Sequence, residues 1–406
     1  MSRINLLFIL AVLGVAVAPC PAAGEIRAEA DLRVRQEILD GVYHFTPDHD
    51  RNWIRVRSRV GFQAFTGSSV FHLRLTNEHR HYLHPDQDFD WDEVILDNAS
   101  WEWRQDGTQV TVGRQDIIWP GGFLMLEGHP LDGSRSIYHN AVRLRSRGER
   151  GSLDLAMIRN FRYDDLVIID DEERALSDAD EVGFALRFER GGVHLAVIHK
   201  EENDLDLRTL TLNAGIDREL CCGRKLTGDL ALQYQDGDDS LHPGDGWAVA
   251  GQAFLNGSVA DVARAEAGLF YYSGQGNDLR AFRTPWGRWP KWSELYIYTL
   301  IGESTPGRVH VAAWENIAAP RLTLTRDLGR GVQGKLGASY LLAPEPDWQA
   351  RGLLTQMGAT FKLGHGVDGH LLWEMLDPGS FHDGNNGLPP LTETAHFLRW
   401  QLTWAL

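Results

Sequence analysis

The chain has 406 residues, a formal net charge of -16, 42 glycines and 14 tryptophans. An acidic balance of this kind leaves no electrostatic footprint for a nucleic-acid partner. Beyond the N-terminus no stretch reaches the roughly 18 apolar residues of a spanning helix, so a membrane could be entered only as a barrel.

Residues 1–24 carry Arg3, an apolar run from Leu6 to Val17, and Ala22-Ala23-Gly24 before Glu25. That order is expected of a secretory signal peptide cleaved near Glu25. Residues 25–406 show no linker, low-complexity tract or composition shift and are expected to form one all-β domain.

Period-2 alternation predicts strands at 26–36, 52–65, 68–78, 94–105, 108–118, 138–146, 151–162, 181–189, 193–202, 207–217, 225–236, 246–256, 261–273, 317–328, 331–342, 350–363, 367–377 and 394–406. These 18 segments approach or exceed the roughly 9 to 11 residues that a tilted strand needs to cross a bilayer. Tight turns, such as Thr66-Gly67, Asp106-Gly107, Arg190-Gly191-Gly192 and Gly329-Arg330, follow even-numbered strands. Long connections, such as 79–93, 119–137, 163–180, 274–316 and 378–393, follow odd ones. Sorting of this kind is expected of a transmembrane antiparallel β-barrel with both termini on the periplasmic side. Within 274–316, residues 293–301 are readable as an extra strand or as a loop folded into the lumen. Cys221 and Cys222 are adjacent in a predicted turn, as two thiols or a vicinal disulfide.

The last stretch, His396 to Leu406, puts Leu398, Trp400, Leu402, Trp404 and Leu406 on one parity and Arg399, Gln401 and Thr403 on the other. Its apolar face needs lipid or a packing partner, as in the closing strand of an outer-membrane barrel. Earlier strands divide likewise: Ile54, Val56, Val60 and Phe62 oppose Arg55, Arg57 and Arg59, and Val142 and Leu144 oppose Arg143 and Arg145. An Arg or Lys on the lipid side at the midplane costs about 2 to 4 kcal/mol, so the charged parity is expected to face a wet lumen.

On the first six strands that parity carries Arg27, Arg33, Arg35, Arg55, Arg57, Arg59, Arg74, Arg104, Arg143 and Arg145 against Glu29, Asp31, Glu78 and Glu102. On the other strands, where Arg187, Lys335 and Arg399 lie, the two signs balance. A bank of guanidiniums in a narrow pore suits the passage of carboxylates or phosphates. Arginines and acids on neighbouring strands equally suit cross-strand bracing, and both readings stand at this point.

From Thr111 onward the chain resembles the alginate export family of outer-membrane barrels. The resemblance is carried by Val112-Gly113-Arg114-Gln115-Asp116, Asp132-Gly133-Ser134-Arg135, Ala141-Val142-Arg143-Leu144 and the segment from Trp292 to Tyr298. It implies an 18-stranded Gram-negative outer-membrane porin whose Arg-lined pore lets an anionic polysaccharide such as alginate leave the cell. Outer-membrane lipid and lipopolysaccharide would surround it, and periplasmic export partners would serve it. A general or small-anion diffusion porin is the alternative in the same class, and an outer-membrane hydrolase or a plugged structural or adhesive barrel the alternative outside it. Arg114 shares parity with Val110 and Val112, so a bulge or the strand's exit from the membrane is expected near Gly113.

No nucleophile motif or phosphate-cradling glycine loop is present, and neither an enzyme activity nor a cofactor is expected. Glu78-His79-Arg80-His81-Tyr82-Leu83-His84-Pro85-Asp86 holds metal-ligand types at irregular spacing and is expected to be a solvated loop rather than a metal site.

Overall fold

The computed structural model describes residues 25–42, 50–85, 94–126, 138–164, 166–169, 176–237, 244–259, 262–287, 292–296, 315–364, 366–384 and 390–405. The expected signal peptide, Asp86, Asp132, Gly133, Arg135 and the segment 297–314 lie outside them.

The strands in chain order are β1 (Ile26–Asp40), β2 (Arg51–Thr66), β3 (Ser69–His84), β4 (Val94–Gln105), β5 (Thr108–Gln115), β6 (His139–Gly148), β7 (Gly151–Asn160), β8 (Val167–Ile169), β9 (Glu181–Arg190) and β10 (Val193–Glu202). They continue with β11 (Leu207–Glu219), β12 (Lys225–Asp236), β13 (Gly246–Val259), β14 (Ala263–Tyr272), β15 (Ile317–Gly329), β16 (Val332–Ala343), β17 (Gln349–Gly364), β18 (Val367–Pro378) and β19 (Ala395–Ala405). Every long strand pairs antiparallel with its neighbour, β7 joins β9 directly, and β1 pairs with β19. The wall is a closed barrel of 18 strands. Three-residue β8 stands outside that series and, among the described residues, pairs with the start of β4. There β5 has already left the sheet, three residues before the sequence predicts. β3 runs the other way, six residues past its expected end, so the stretch read as a solvated loop is mostly strand.

Alternation sets the wall. Phe62, Phe71, Leu73, Val142, Phe184, Leu336, Leu371, Leu398 and Leu402 stand exposed on the outer surface, while Arg33, Arg35, Arg55, Arg57, Arg59, Arg143 and Glu374 are buried on the inner side. So continuous an apolar exterior requires lipid. At the Asp106-Gly107 hairpin both residues have positive φ, 48° and 77°, the twist a two-residue turn needs to match its strands.

The lumen is not uniformly wet, contrary to the parity argument. Residues 116–126 and 280–286, from two long connections, fold inward and join: Trp286 N donates to Leu124 O at 3.0 Å and Leu126 N to Trp286 O at 2.9 Å. Phe123, Leu124, Met125, Phe282 and Trp286 form an apolar cluster with Ala156, Ala185, Ala196, Ala231, Ala248 and Ala250 of the wall. Small wall residues leave the space that the loop side chains fill, and each large apolar group taken from water contributes about 1.5 to 3 kcal/mol. Polar bonds fix the register. Gln233 and Gln235 donate to Arg283 O and Ala281 O at 2.8 and 2.7 Å, and Trp286 Nε1 donates to Glu181 at 3.1 Å. Trp292–Tyr296 also turns inward, so the loop reading of that segment holds over its described part.

Candidate functional site, a basic wall in the lumen

A basic wall runs across the inner faces of β19, β1, β2 and β3. Register places Gln401, Arg35, Arg55 and Arg80 in one row, Thr403, Arg33, Arg57 and Glu78 in the next, Arg399, Glu37 and Trp53 above, and Asp31, Arg59 and Thr76 below. Neighbouring strands stand about 4.8 Å apart, and successive inward residues about 6.8 Å apart along each strand. Seven guanidiniums therefore share this patch with the carboxylates of Asp31, Glu37 and Glu78, and Glu294 of an inward loop adds a fourth, 3.3 Å from Arg399.

Asp31 and Glu37 are each divided among several cations. Asp31 holds Arg57 at 3.1 Å and Arg59 at 2.6 Å. Glu37 holds Arg35 at 3.2 Å, Arg55 at 3.1 Å and Arg399 at 3.7 Å, and it accepts the Trp53 indole N–H at 2.6 Å. Trp53 sits between guanidiniums, with Arg55 and Arg80 5.4 and 5.1 Å from its ring centre. Two like charges one strand apart repel by roughly 3 kcal/mol at an effective dielectric constant of about 20, so the surplus favours an anion alongside it. The side chains that brace the wall are thus the same ones that carry its positive surplus.

The other expected pore residues separate from this patch. Arg74 turns to Asp97 at 2.8 Å and Asp116 at 3.1 Å. Arg143 clasps Asp154 at 2.8 Å, and Arg187 pairs with Glu189 at 2.7 Å. Arg145 lies near the β4–β5 turn, lining a cleft with Arg104, Gln109 and Arg147. Among the acids on the inward parity of the first strands, Asp31 pairs with the arginines of this patch, whereas Glu102 engages Arg104 and Gln109.

The Gly113-Arg114-Gln115-Asp116 stretch is a structural knot where β5 leaves the sheet. Gly113 has φ +119°, and a Cβ there would lie 2.3 Å from Ala99 O. Of the two features expected near Gly113, the bulge is absent, since pairing to β4 and β6 runs through Gly113 without a register shift, and the strand instead ends at Gln115. Arg114 is buried and points away from the basic wall, to Leu96 O at 2.7 Å and Asp164 at 3.1 Å. Gln115 donates to Ala141 O at 3.1 Å, and Asp116 receives Arg74.

Sequence reasoning missed Arg80, placed in a loop, and assigned Arg399 to a balanced wall. The signal was present: the parity of Arg74, Thr76 and Glu78 continues through Arg80 and Tyr82. Among the described residues no His, Cys, Asp and Glu grouping suits a metal ion.

No family model matches this chain, and no curated protein matches it in sequence. Solved structures do share its fold. Acinetobacter baumannii OccAB1 is 10% identical with a TM-score of 0.62, covering 94% of this chain and 96% of its own. Pseudomonas aeruginosa OccK2 (OpdF) is 12% identical with a TM-score of 0.61, covering 93% and 97%. Pseudomonas aeruginosa OpdK, solved with vanillate, is 13% identical with a TM-score of 0.57, covering 93% and 98%. These are outer-membrane porins of 18 strands, and at such identity the likeness is one of fold.

Proposed function

We propose that this chain is a channel of the Gram-negative outer membrane that passes small organic anions along the wall formed by β19, β1, β2 and β3. The observation that carries the reading is the surplus of seven guanidiniums over four carboxylates on this inner wall. Guanidinium forks match carboxylate oxygens, and a row of them lets an anion move between stations without being held at one. Solved structures with this fold are porins, which supports transport over catalysis.

An acidic polysaccharide is the second reading, favoured by the alginate export resemblance. A polyuronate repeats its carboxylates and could engage successive rows, and periplasmic export partners belong with this alternative. Against it stands the packed interior, since a bulky polymer would share the lumen with the Phe123 and Trp286 cluster.

Reversal potentials of the refolded protein in planar bilayers under a salt gradient test the channel reading. Anion selectivity supports it, and cation selectivity or no conductance overturns it. Added glucuronate and oligouronates separate the two solutes. Brief block by the monomer favours small anions, and long block growing with chain length favours the polymer.

A further inference from the structure

A hollow lies beside the basic wall, against the inner faces of β15–β19, with the segment from Trp292 to Glu294 as its roof. Its volume is about 260 Å³, a space of monosaccharide size. Gly358 contributes to the floor without a side chain, and Thr325, Gln333, Gln356 and Thr360 supply hydroxyl and amide groups around it.

Its acids are already engaged. Glu374 accepts from Ser293 Oγ at 2.9 Å, Glu294 N at 2.8 Å and Leu295 N at 2.6 Å, and also takes the Gln356 amide. Glu294 meets Arg399 at 3.3 Å. Two donors remain. Lys335, whose side chain reaches lumen water, makes no hydrogen bond or ion pair among the described residues. Trp292 is 5% exposed, and its Nε1 is buried without an acceptor among the described residues. A buried donor left unmatched costs about 1 to 3 kcal/mol, a penalty that an incoming acceptor removes.

We infer that this hollow is a separate binding station for a hydroxylated monocarboxylate of monosaccharide size. Lys335 Nζ and Trp292 Nε1 take the carboxylate, and Gln333, Thr325 and Thr360 take hydroxyl groups. The station extends the channel reading and depends on it only for how the solute arrives. It adjoins the basic wall: Arg399, which faces Glu37 there, also lines the hollow, and Gln401 lies between His370 at its edge and Arg35.

The test is ¹⁹F NMR of the full, folded, detergent-solubilised chain containing 5-fluorotryptophan, titrated with D-glucuronate and separately with D-glucose. Trp292→Phe and Trp53→Phe assign the two reporter resonances. Glucuronate is expected to shift the Trp292 signal, and Lys335→Gln to weaken that response at least tenfold, while glucose leaves it in place. An unmoved Trp292 signal, an equal response to glucose, or an unaltered response in Lys335→Gln would each overturn the proposal. A protein that shows the expected Trp292 response yet conducts no anions would refute the channel reading and leave the station standing.

Discussion

The Trp53 indole donates to Glu37 at 2.6 Å while the same carboxylate faces Arg35, Arg55 and Arg399. One acid with three cations and a neutral donor is held rigidly and is under-supplied with negative charge. Glu37→Gln is therefore expected to do two things. It should cost about 3 to 5 kcal/mol of stability by leaving buried guanidiniums without their acid, and it should raise anion selectivity. Urea unfolding in vesicles and reversal potentials measure them. A stable variant with unchanged selectivity would show that Glu37 is peripheral to the wall.

Arg74 and Arg35 should separate cleanly. Both lie on the inward parity, but Arg74 is turned to Asp97 and Asp116 whereas Arg35 belongs to the surplus row. Arg35→Gln is expected to shift the reversal potential toward that of a weakly selective pore. Arg74→Gln should leave the potential in place and lower the urea midpoint. The reverse pattern would relocate the solute path to β3 and β4.

Gly113→Ala tests the knot at the end of β5. A methyl group 2.3 Å from Ala99 O at φ +119° has no strain-free position. A loss of more than about 1 kcal/mol is expected. Unfolding followed in vesicles checks it, and a wild-type midpoint would mean that the β5 exit relaxes freely.

His382, in the turn after β18, is buried beside Arg351, and both burial and that positive neighbour bring its pKa down to about 3. The imidazole is neutral in the fold and titrates near 6.5 when unfolded. A lowered basic pKa contributes stability above about pH 6.5 that is lost as pH falls from there toward 3. Between pH 7 and 5 wild type should lose about 2 kcal/mol more than His382→Gln. Parallel pH slopes for the two proteins would exclude the effect.

Cys221 and Cys222 are free and exposed in the turn between β11 and β12, on the same side as the tight hairpins. With the periplasmic orientation, a membrane-impermeant maleimide should leave intact cells unlabelled and react once the outer membrane is permeabilised. A Cys at Asp204, on the opposite side, placed in a Cys221→Ser and Cys222→Ser background, should label in both cases. Labelling of the native pair in intact cells would invert the topology.

The wall was legible because barrel strands obey one rule throughout: apolar outward, polar inward, period 2. Phe71 and Leu73 against Arg74, or Leu398 against Arg399, announce their faces without reference to anything distant in the chain. The interior was less legible. Ala185, Ala196, Ala231, Ala248 and Ala250 occupy the inward parity, and small inward residues say only that there is room for a neighbour. Their partners Phe123 and Trp286 stand in long connections without periodicity, so the contact is set by tertiary packing. The basic wall was half visible for a related reason. Arg33 and Arg35 on β1 and Arg55, Arg57 and Arg59 on β2 cluster in sequence, whereas Arg399 joins them only through the pairing of the first strand with the last. Arg114 carries the same charge yet faces Asp164, because strand parity ends to bear on orientation where β5 leaves the sheet.

The internal apolar cluster includes Leu39 and Val42 at the end of β1, and Leu391, Ala395 and Phe397 at the start of β19. It therefore straddles the junction where the two ends of the chain meet. Backbone pairing alone would make that junction resemble any other pair of neighbouring strands, free to part at the cost of its own bonds. Here, parting it also opens an oil-like interior to water, so the junction is latched from within and the barrel should yield last where a ribbon of strands would ordinarily begin to unzip.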